Sequence, residues 1–155
     1  MSAPQAGDKA PDFSMPASGG RTVGLQSLRG RPFVLYFYPR ADTPGCTREA
    51  CAFQEARPQL GKIGIDVIGV SKDKIKPIEK FADKFSLTFP LASDAETHVA
   101  EDYGVWVEKS RYGRKYMGIE RSTFLIDGAG KIAKVWRKVQ VDGHAAEVLT
   151  AAQSL

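Results

Sequence analysis

The chain has two cysteines, Cys46 and Cys51, and they sit within six positions of each other. Thr43-Pro44-Gly45 stands directly before Cys46. Threonine is a preferred helix N-cap and proline a preferred first helical residue, so a helix is predicted to start at Pro44. Cys46 is then the third helical residue, where a capping box carries Glu or Gln. A sulfur placed there faces free backbone N–H groups and the positive end of the helix dipole, and both favour a thiolate over a thiol. Cysteines in such places can titrate up to several units below ~8.5. Gly45 has no side chain to obstruct an approaching substrate. The Thr43 hydroxyl is positioned to donate to the sulfur or to a bound oxygen. This chemistry is that of a reactive thiol; the competing reading is an inert buried cysteine.

Cys51 is five residues further on. In an ideal helix that separation means ~7.5 Å of rise and about 500° of rotation, which puts the two Cα atoms roughly 8.5–9 Å apart. Disulfides rarely form beyond about 7 Å. A permanent staple inside an intact helix is therefore excluded. Two readings stay open for Cys51: simple core filling, or a transient disulfide coupled to unwinding of the first turns. Metal binding is not indicated, because His98 and His144 have no ligand spacing to each other or to the cysteines. The spacing C-x-x-x-x-C is also not the C-x-x-C of thioredoxin-like exchange, and no glycine-rich phosphate loop is present.

The elements that must hold these residues can be read from the surrounding pattern. Residues 33–38 (FVLYFY) form an apolar, aromatic run between prolines, which suits a central strand buried on both faces. The helix that starts at Pro44 is predicted to run to about residue 60. Residues 63–70 read as a second buried strand, 75–85 as an amphipathic helix, 88–91 as a short strand and 96–103 as a short helix. Residues 122–126 and 131–135 flank Asp127-Gly128-Ala129-Gly130 and read as a hairpin. Asp142 opens a last helix. Before all of these, residues 10–16 and 21–25 read as an N-terminal hairpin, preceded by a loose tip over residues 1–11. Residues 105–117, rich in Lys, Arg, Tyr and Gly, give no clear pattern. The order implies one α/β domain over residues 1–155, with a mixed sheet between helices. Cys46 then lies beyond the carboxyl end of a parallel strand, where such folds place their sites.

Composition narrows the class further. At 155 residues the chain can bury a sizeable core without staples. Two cysteines are too few for a secreted disulfide scaffold. No apolar stretch approaches membrane-spanning length and no secretory leader is visible, so the cytoplasm is expected. The formal net charge is +4 with basic residues spread along the chain. That pattern argues for a solvated surface over nucleic-acid binding and leaves room for attraction to an acidic protein partner.

Pro39, Thr43 and Cys46 complete the pattern P-x-x-x-T-x-x-C, which resembles the active-site signature of peroxiredoxins, thiol peroxidases with a thioredoxin-like fold. The continuation Cys46-Thr47-Arg48-Glu49-Ala50-Cys51 resembles the bacterioferritin comigratory protein, or peroxiredoxin Q, subfamily. The resemblance extends over nearly the whole chain, through APDF near the N-terminus, GVSKD at 69–73, YGV at 103–105 and RSTFLID at 121–127. It implies that Cys46 is the peroxidatic cysteine and Cys51 the resolving one, in an atypical 2-Cys cycle. It implies that Thr43 hydrogen-bonds the peroxide, that Pro39 shields the sulfur and that Arg121 is the active-site arginine. Glu49, one turn beyond Cys46, is a candidate to orient that arginine. The implied activity is reduction of hydrogen peroxide and organic hydroperoxides in antioxidant defence, with a thioredoxin-like dithiol as reductant. No metal, haem or flavin is required, nor is a nucleic-acid or membrane partner. A monomer is expected, with a weak homodimer as the alternative. Two rival readings are a disulfide oxidoreductase on the same fold and a redox-sensing binding module without turnover.

Overall fold

The computed structural model describes residues 3–155. A hairpin of β1 (Ser14–Ala17) and β2 (Arg21–Gly24) comes first, followed by β3 (Phe33–Phe37), α1 (Pro44–Lys62) and β4 (Asp66–Ser71). Next are α2 (Ile75–Lys84), β5 (Leu91–Ser93) and α3 (Val99–Asp102). The chain ends with β6 (Trp106–Arg111), β7 (Arg114–Ile119), β8 (Ser122–Ile126), β9 (Ile132–Trp136) and α4 (His144–Gln153). Seven strands form one mixed sheet in the order β2-β1-β5-β4-β3-β8-β9, and β6 and β7 make a separate two-stranded ribbon. β3 runs parallel to β4 and antiparallel to β8.

All five residues of β3 are buried because both faces of the sheet are covered. Strand alternation divides them between two cores. Phe33, Leu35 and Phe37 meet Phe13, Tyr103 and Phe124 on one side. Val34, Tyr36 and Tyr38 meet Phe53 and Leu60 of α1, Phe81 of α2 and Val148 of α4 on the other. Tyr36 sits opposite Gly69 of β4. A Cβ at Gly69 would come within 2.8 Å of the Tyr36 ring, so glycine there is what lets the tyrosine lie across the sheet.

Several predicted boundaries shift, each for a local reason. The strand predicted at 63–70 begins only at Asp66, because Gly64 takes a left-handed turn at φ 74. The strand predicted at 88–91 becomes β5, which starts after Pro90. The Thr88 N–H is instead taken by the Gln54 side chain at 2.9 Å. The helix predicted at 96–103 shrinks to α3, since the Asp94 carboxylate accepts the N–H groups of Val99 and Ala100 at 3.0 and 2.8 Å and so fixes the start. The unreadable stretch 105–117 is the β6–β7 hairpin, closed by Tyr112-Gly113 with both residues at positive φ. The N-terminal tip is not loose over residues 5–10. Gly7 and Ala10 donate to the carbonyls of Ile132 and Gly130, and Asp8 accepts from Ile132, at 2.8–2.9 Å. This segment covers the free edge of β9, an edge that would otherwise present unpaired backbone groups. Met1 and Ser2, read as part of that tip, lie outside the described residues. No helix among the described residues is long and apolar enough to cross a membrane.

Candidate active site

β3 delivers the chain to the site and α1 holds it there. Beyond β3 the Ala41 N–H donates to the Asp73 carboxylate at 2.7 Å, and Asp73 is itself held by the Ser71 hydroxyl at 2.9 Å. The loop before the helix is thus pinned to the end of β4. Thr43 then takes the N-cap position with extended backbone, and Pro44 is the first helical residue, as the sequence predicts. The Thr43 side chain does not cap the helix; its hydroxyl donates to the Arg40 carbonyl at 2.8 Å. Thr47 is the first residue whose N–H closes onto the helix, on the Thr43 carbonyl at 2.8 Å. The Gly45 and Cys46 N–H groups precede it and have no intrahelical acceptor. No acidic side chain lies in the first turn to offset the dipole.

Cys46 is the third helical residue, 1% exposed, and its sulfur accepts a hydrogen bond from Arg121 Nη2 at 3.3 Å. Arg121 stands immediately before β8, whose Ser122 pairs with Phe37 at the carboxyl end of β3. The same guanidinium donates from Nη1 to Glu49 Oε1 at 2.7 Å. One arginine therefore bridges Cys46 and Glu49, which are three residues apart on one face of α1. Gly45 permits this, because a Cβ there would lie 3.3 Å from Arg121 Nη2. Its openness serves the arginine as much as any substrate.

Burial pushes the Glu49 carboxyl up to about 7, against the pull of Arg121 in the opposite direction. Glu49 Oε2 and the Tyr36 and Tyr38 hydroxyls are buried with no hydrogen-bond partner among the described residues. Both tyrosines pack in the same core as Cys46. Burial raises both phenols well above their ordinary value, so they stay protonated as neutral donors. His144 is engaged away from the sulfur and stays neutral. It contacts Thr123 Oγ1 at 2.8 Å, and burial holds it down at about 4.

The structure therefore gathers Cys46, Thr43, Gly45 and Arg121 at one helix start, with Pro39 half-buried in the loop that leads to it. Cys51 is half-buried in the same unbroken helix, and both cysteines are free. The sequence names Glu49 as the candidate to orient the arginine, and the two pair at 2.7 Å; Asp73 was missed. The signal for Glu49 was its place one turn after Cys46. The signal for Asp73 was an acid directly beyond the end of a parallel strand. Arg121 had no local signal among the 22 basic residues and was reached only through resemblance. The geometry can do one thing well: hold a thiolate beside a fixed cation and two free N–H groups, ready to attack an electrophilic atom and stabilise charge that leaves it.

A family model for the AhpC/TSA family matches residues 6–135. A Coxiella burnetii chain that carries the Bcp peroxiredoxin name is 52% identical over 145 residues, covering 94% of this chain and 96% of that one. A crystal structure of PrxQ from Xylella fastidiosa, a cysteine-to-serine variant, superimposes with a TM-score of 0.93 at 37% identity, over 99% of this chain and 98% of that one. The Xanthomonas campestris bacterioferritin comigratory protein, whose structures address alkyl peroxide reduction, matches with a TM-score of 0.90 at 38% identity, over 96% of this chain and 98% of that one.

Proposed function

The chain belongs to the AhpC/TSA family, and within it to the Bcp peroxiredoxins, which are thiol-dependent peroxidases; from that premise we propose that Cys46 is its peroxidatic cysteine and Cys51 its resolving cysteine. The observation that carries this reading is the Arg121 guanidinium, 3.3 Å from the Cys46 sulfur at a helix start with no side-chain cap. The Cys46 thiolate attacks the terminal oxygen of a hydroperoxide. The O–O bond breaks, water or an alcohol leaves with a proton, and Cys46 becomes a sulfenic acid. Arg121 and the free N–H groups of Gly45 and Cys46 stabilise the charge that develops on the oxygens; the Thr43 hydroxyl joins them once its single proton turns from the Arg40 carbonyl to the peroxide. Glu49 holds Arg121 in line for this, and Pro39 limits solvent at the sulfur.

Resolution needs a second geometry. The first turns of α1 unwind, the Cys51 thiol condenses with the sulfenic acid, water is lost, and a Cys46–Cys51 disulfide forms. A dithiol protein of the thioredoxin type then attacks the disulfide and restores both thiols through a mixed disulfide. A reducing cytoplasm suits such a cycle, and antioxidant defence is its purpose. Hydrogen peroxide and organic hydroperoxides both carry the O–O bond that this chemistry breaks; the Xanthomonas relative studied with alkyl peroxides supports the second class. Two cores packed on one sheet support reading residues 1–155 as a single domain. It works as a monomer, or at most a weak homodimer.

Intact-mass analysis after one equivalent of peroxide tests both cysteines. The wild type is expected to lose two hydrogens as a disulfide. Cys46→Ser is expected to take up no oxygen and to abolish peroxide-dependent oxidation of the reductant; retained turnover rejects the assignment. Cys51→Ser is expected to react once and accumulate the sulfenic acid. Normal recycling of that variant with thioredoxin rejects the resolving role.

A further inference from the structure

Basic residues occur along the whole chain, but most of the excess charge lies in one hairpin. The β6–β7 ribbon, residues 106–119, contains Lys109, Arg111, Arg114 and Lys115 against a single acid, Glu108. It therefore carries net +3 of the chain's formal +4. Strand alternation sorts these charges onto two faces. Trp106 and Ile119, opposite each other at the base, pack into the core. Glu108 and Lys115 share that face and approach each other to 3.8 Å. The other face presents Lys109 opposite Tyr116 and Arg111 opposite Arg114. None of its three cations has a carboxylate within ion-pair distance among the described residues.

This cationic face borders the active site. β7 leads through Glu120 directly into Arg121. The stem of Lys109 lies against Gly118, where a Cβ would come within 3.2 Å of it. Burial and then the Arg121 charge hold the Lys109 ammonium below its ordinary range, while the Cys46 charge opposes them, so all three groups lie within electrostatic reach. From Gly118 to Arg114 the ribbon extends roughly 13 Å further from the site. At its tip Tyr112 is 93% exposed and lies 5.5 Å from the Arg111 guanidinium. Tyr112 also holds φ 53 in the turn, where Asn or Gly would be unstrained. An exposed tyrosine at a strained position, flanked by arginines, has the composition of an interface hot spot.

We propose that the cationic face of the β6–β7 ribbon is the docking surface for the protein dithiol that reduces the enzyme, and that this partner presents an acidic face around its own thiols. The inference rests on the dithiol-recycling reading of the site. A small hydroperoxide cannot reach from the sulfur to the ribbon tip, whereas a protein seated over the helix start can. A second copy of this chain would set like charges against each other. Opposite charge raises the encounter rate and orients the partner, and the ribbon is placed where orientation matters, beside the disulfide to be attacked.

The test uses the double variant Arg111→Glu/Arg114→Glu, which touches neither cysteine nor Arg121, with Arg111→Gln/Arg114→Gln as a graded control of matching fold by circular dichroism. Reductants are a net-negative bacterial thioredoxin and uncharged dithiothreitol. With thioredoxin, kcat/KM is expected to fall about tenfold or more at low ionic strength, through KM, and to lose most of its salt dependence. The glutamine pair should fall between. Turnover with dithiothreitol and the single-turnover rate of oxidation by peroxide should match the wild type. Unchanged thioredoxin kinetics overturn the proposal, as does an equal loss with dithiothreitol, which would make the ribbon a structural support. Loss of single-stranded DNA binding with thioredoxin kinetics intact would assign the face to nucleic acid instead. A wild type that recycles with dithiothreitol but not with thioredoxin fails at the recycling reading itself, and this docking surface falls with it.

Discussion

The two halves of α1 are held in different ways, although they belong to one continuous helix. The front half starts without a side-chain cap and without an acid in its first turn. Besides the burial of Cys46 and Ala50 and the Asp73 pin on the loop before it, what ties it down is the Arg121 bridge to Cys46 and Glu49. The rear half is fixed by packing. Phe53 is fully buried, stacks on Tyr36 at 4.7 Å between ring centroids and meets the His144 ring edge-on at 6.1 Å. It survives even Pro58, which removes a helical N–H. Cys51 lies two residues before that anchor. On the proposed cycle, the contrast sets where unwinding would start and where it would stop. In the proposed cycle Cys46 attacks as a thiolate, which would be the only negative charge the first turn offers the dipole, and its sulfur is also the acceptor for Arg121. A sulfenic acid is neutral, so the attack on peroxide itself removes a charge–dipole interaction of about 0.3–1 kcal/mol and weakens a charge-assisted hydrogen bond of about 1.5–3 kcal/mol. On the proposed cycle, the chemistry itself would loosen the half that has to move.

The largest effect should come from erasing the anchor. Phe53→Ala removes a buried ring from between α1, β3 and α4, and such truncations cost about 3–5 kcal/mol. Chemical denaturation of the reduced protein should report a loss of that size. A loss below about 1 kcal/mol would mean that the rear half is no better held than the front, and the contrast would collapse.

A smaller effect tests the boundary directly. On peroxide oxidation the backbone amides of residues 47–52 should exchange with solvent at least about tenfold faster, roughly 1.4 kcal/mol of lost protection, while those of residues 54–62 stay as they were. Hydrogen exchange read by mass spectrometry separates the two segments. Uniform loss along α1, or none, would place the hinge elsewhere.

Much of this was legible before the structure. Local rules set the start of α1 to the residue, because Thr43-Pro44 is a backbone signal that needs no tertiary context. The continuous apolar run at 33–38 likewise announced a strand covered on both faces. What escaped depends on residues far apart in sequence. Arg121 reaches Cys46 across 75 positions, and Asp73 pins Ala41 across 32. The β6–β7 ribbon hid for another reason: much of it is exposed, so it lacks the apolar period that marks a buried strand, and its turn carries tyrosine where Asn or Gly is expected. Thr43 shows the converse. Its place as N-cap was readable, but its hydroxyl serves the Arg40 carbonyl and not the helix.

The finest test concerns the tether of the front half, and its sign can be worked out. Burial raises the Glu49 carboxyl from an ordinary 4.5 to about 7, with Arg121 opposing the rise. Folding therefore favours neutral Glu49. The stability this contributes is fully present below about 4.5 and is lost as the pH rises through about 7. Glu49→Gln fixes the neutral form and keeps an oxygen for Arg121 Nη1. Denaturant midpoints of wild type and variant should agree below about pH 4.5 and diverge by pH 8, the variant being more stable by on the order of 1 kcal/mol. Peroxide reactivity should move the other way, since only the ionised carboxylate balances the guanidinium and holds it against the sulfur. A site that gains activity from the same ionisation that costs stability is one where function, not packing, selected the residue. If the two stability profiles run parallel across this range, Glu49 does not titrate there, and the front half of α1 is held by shape rather than by charge.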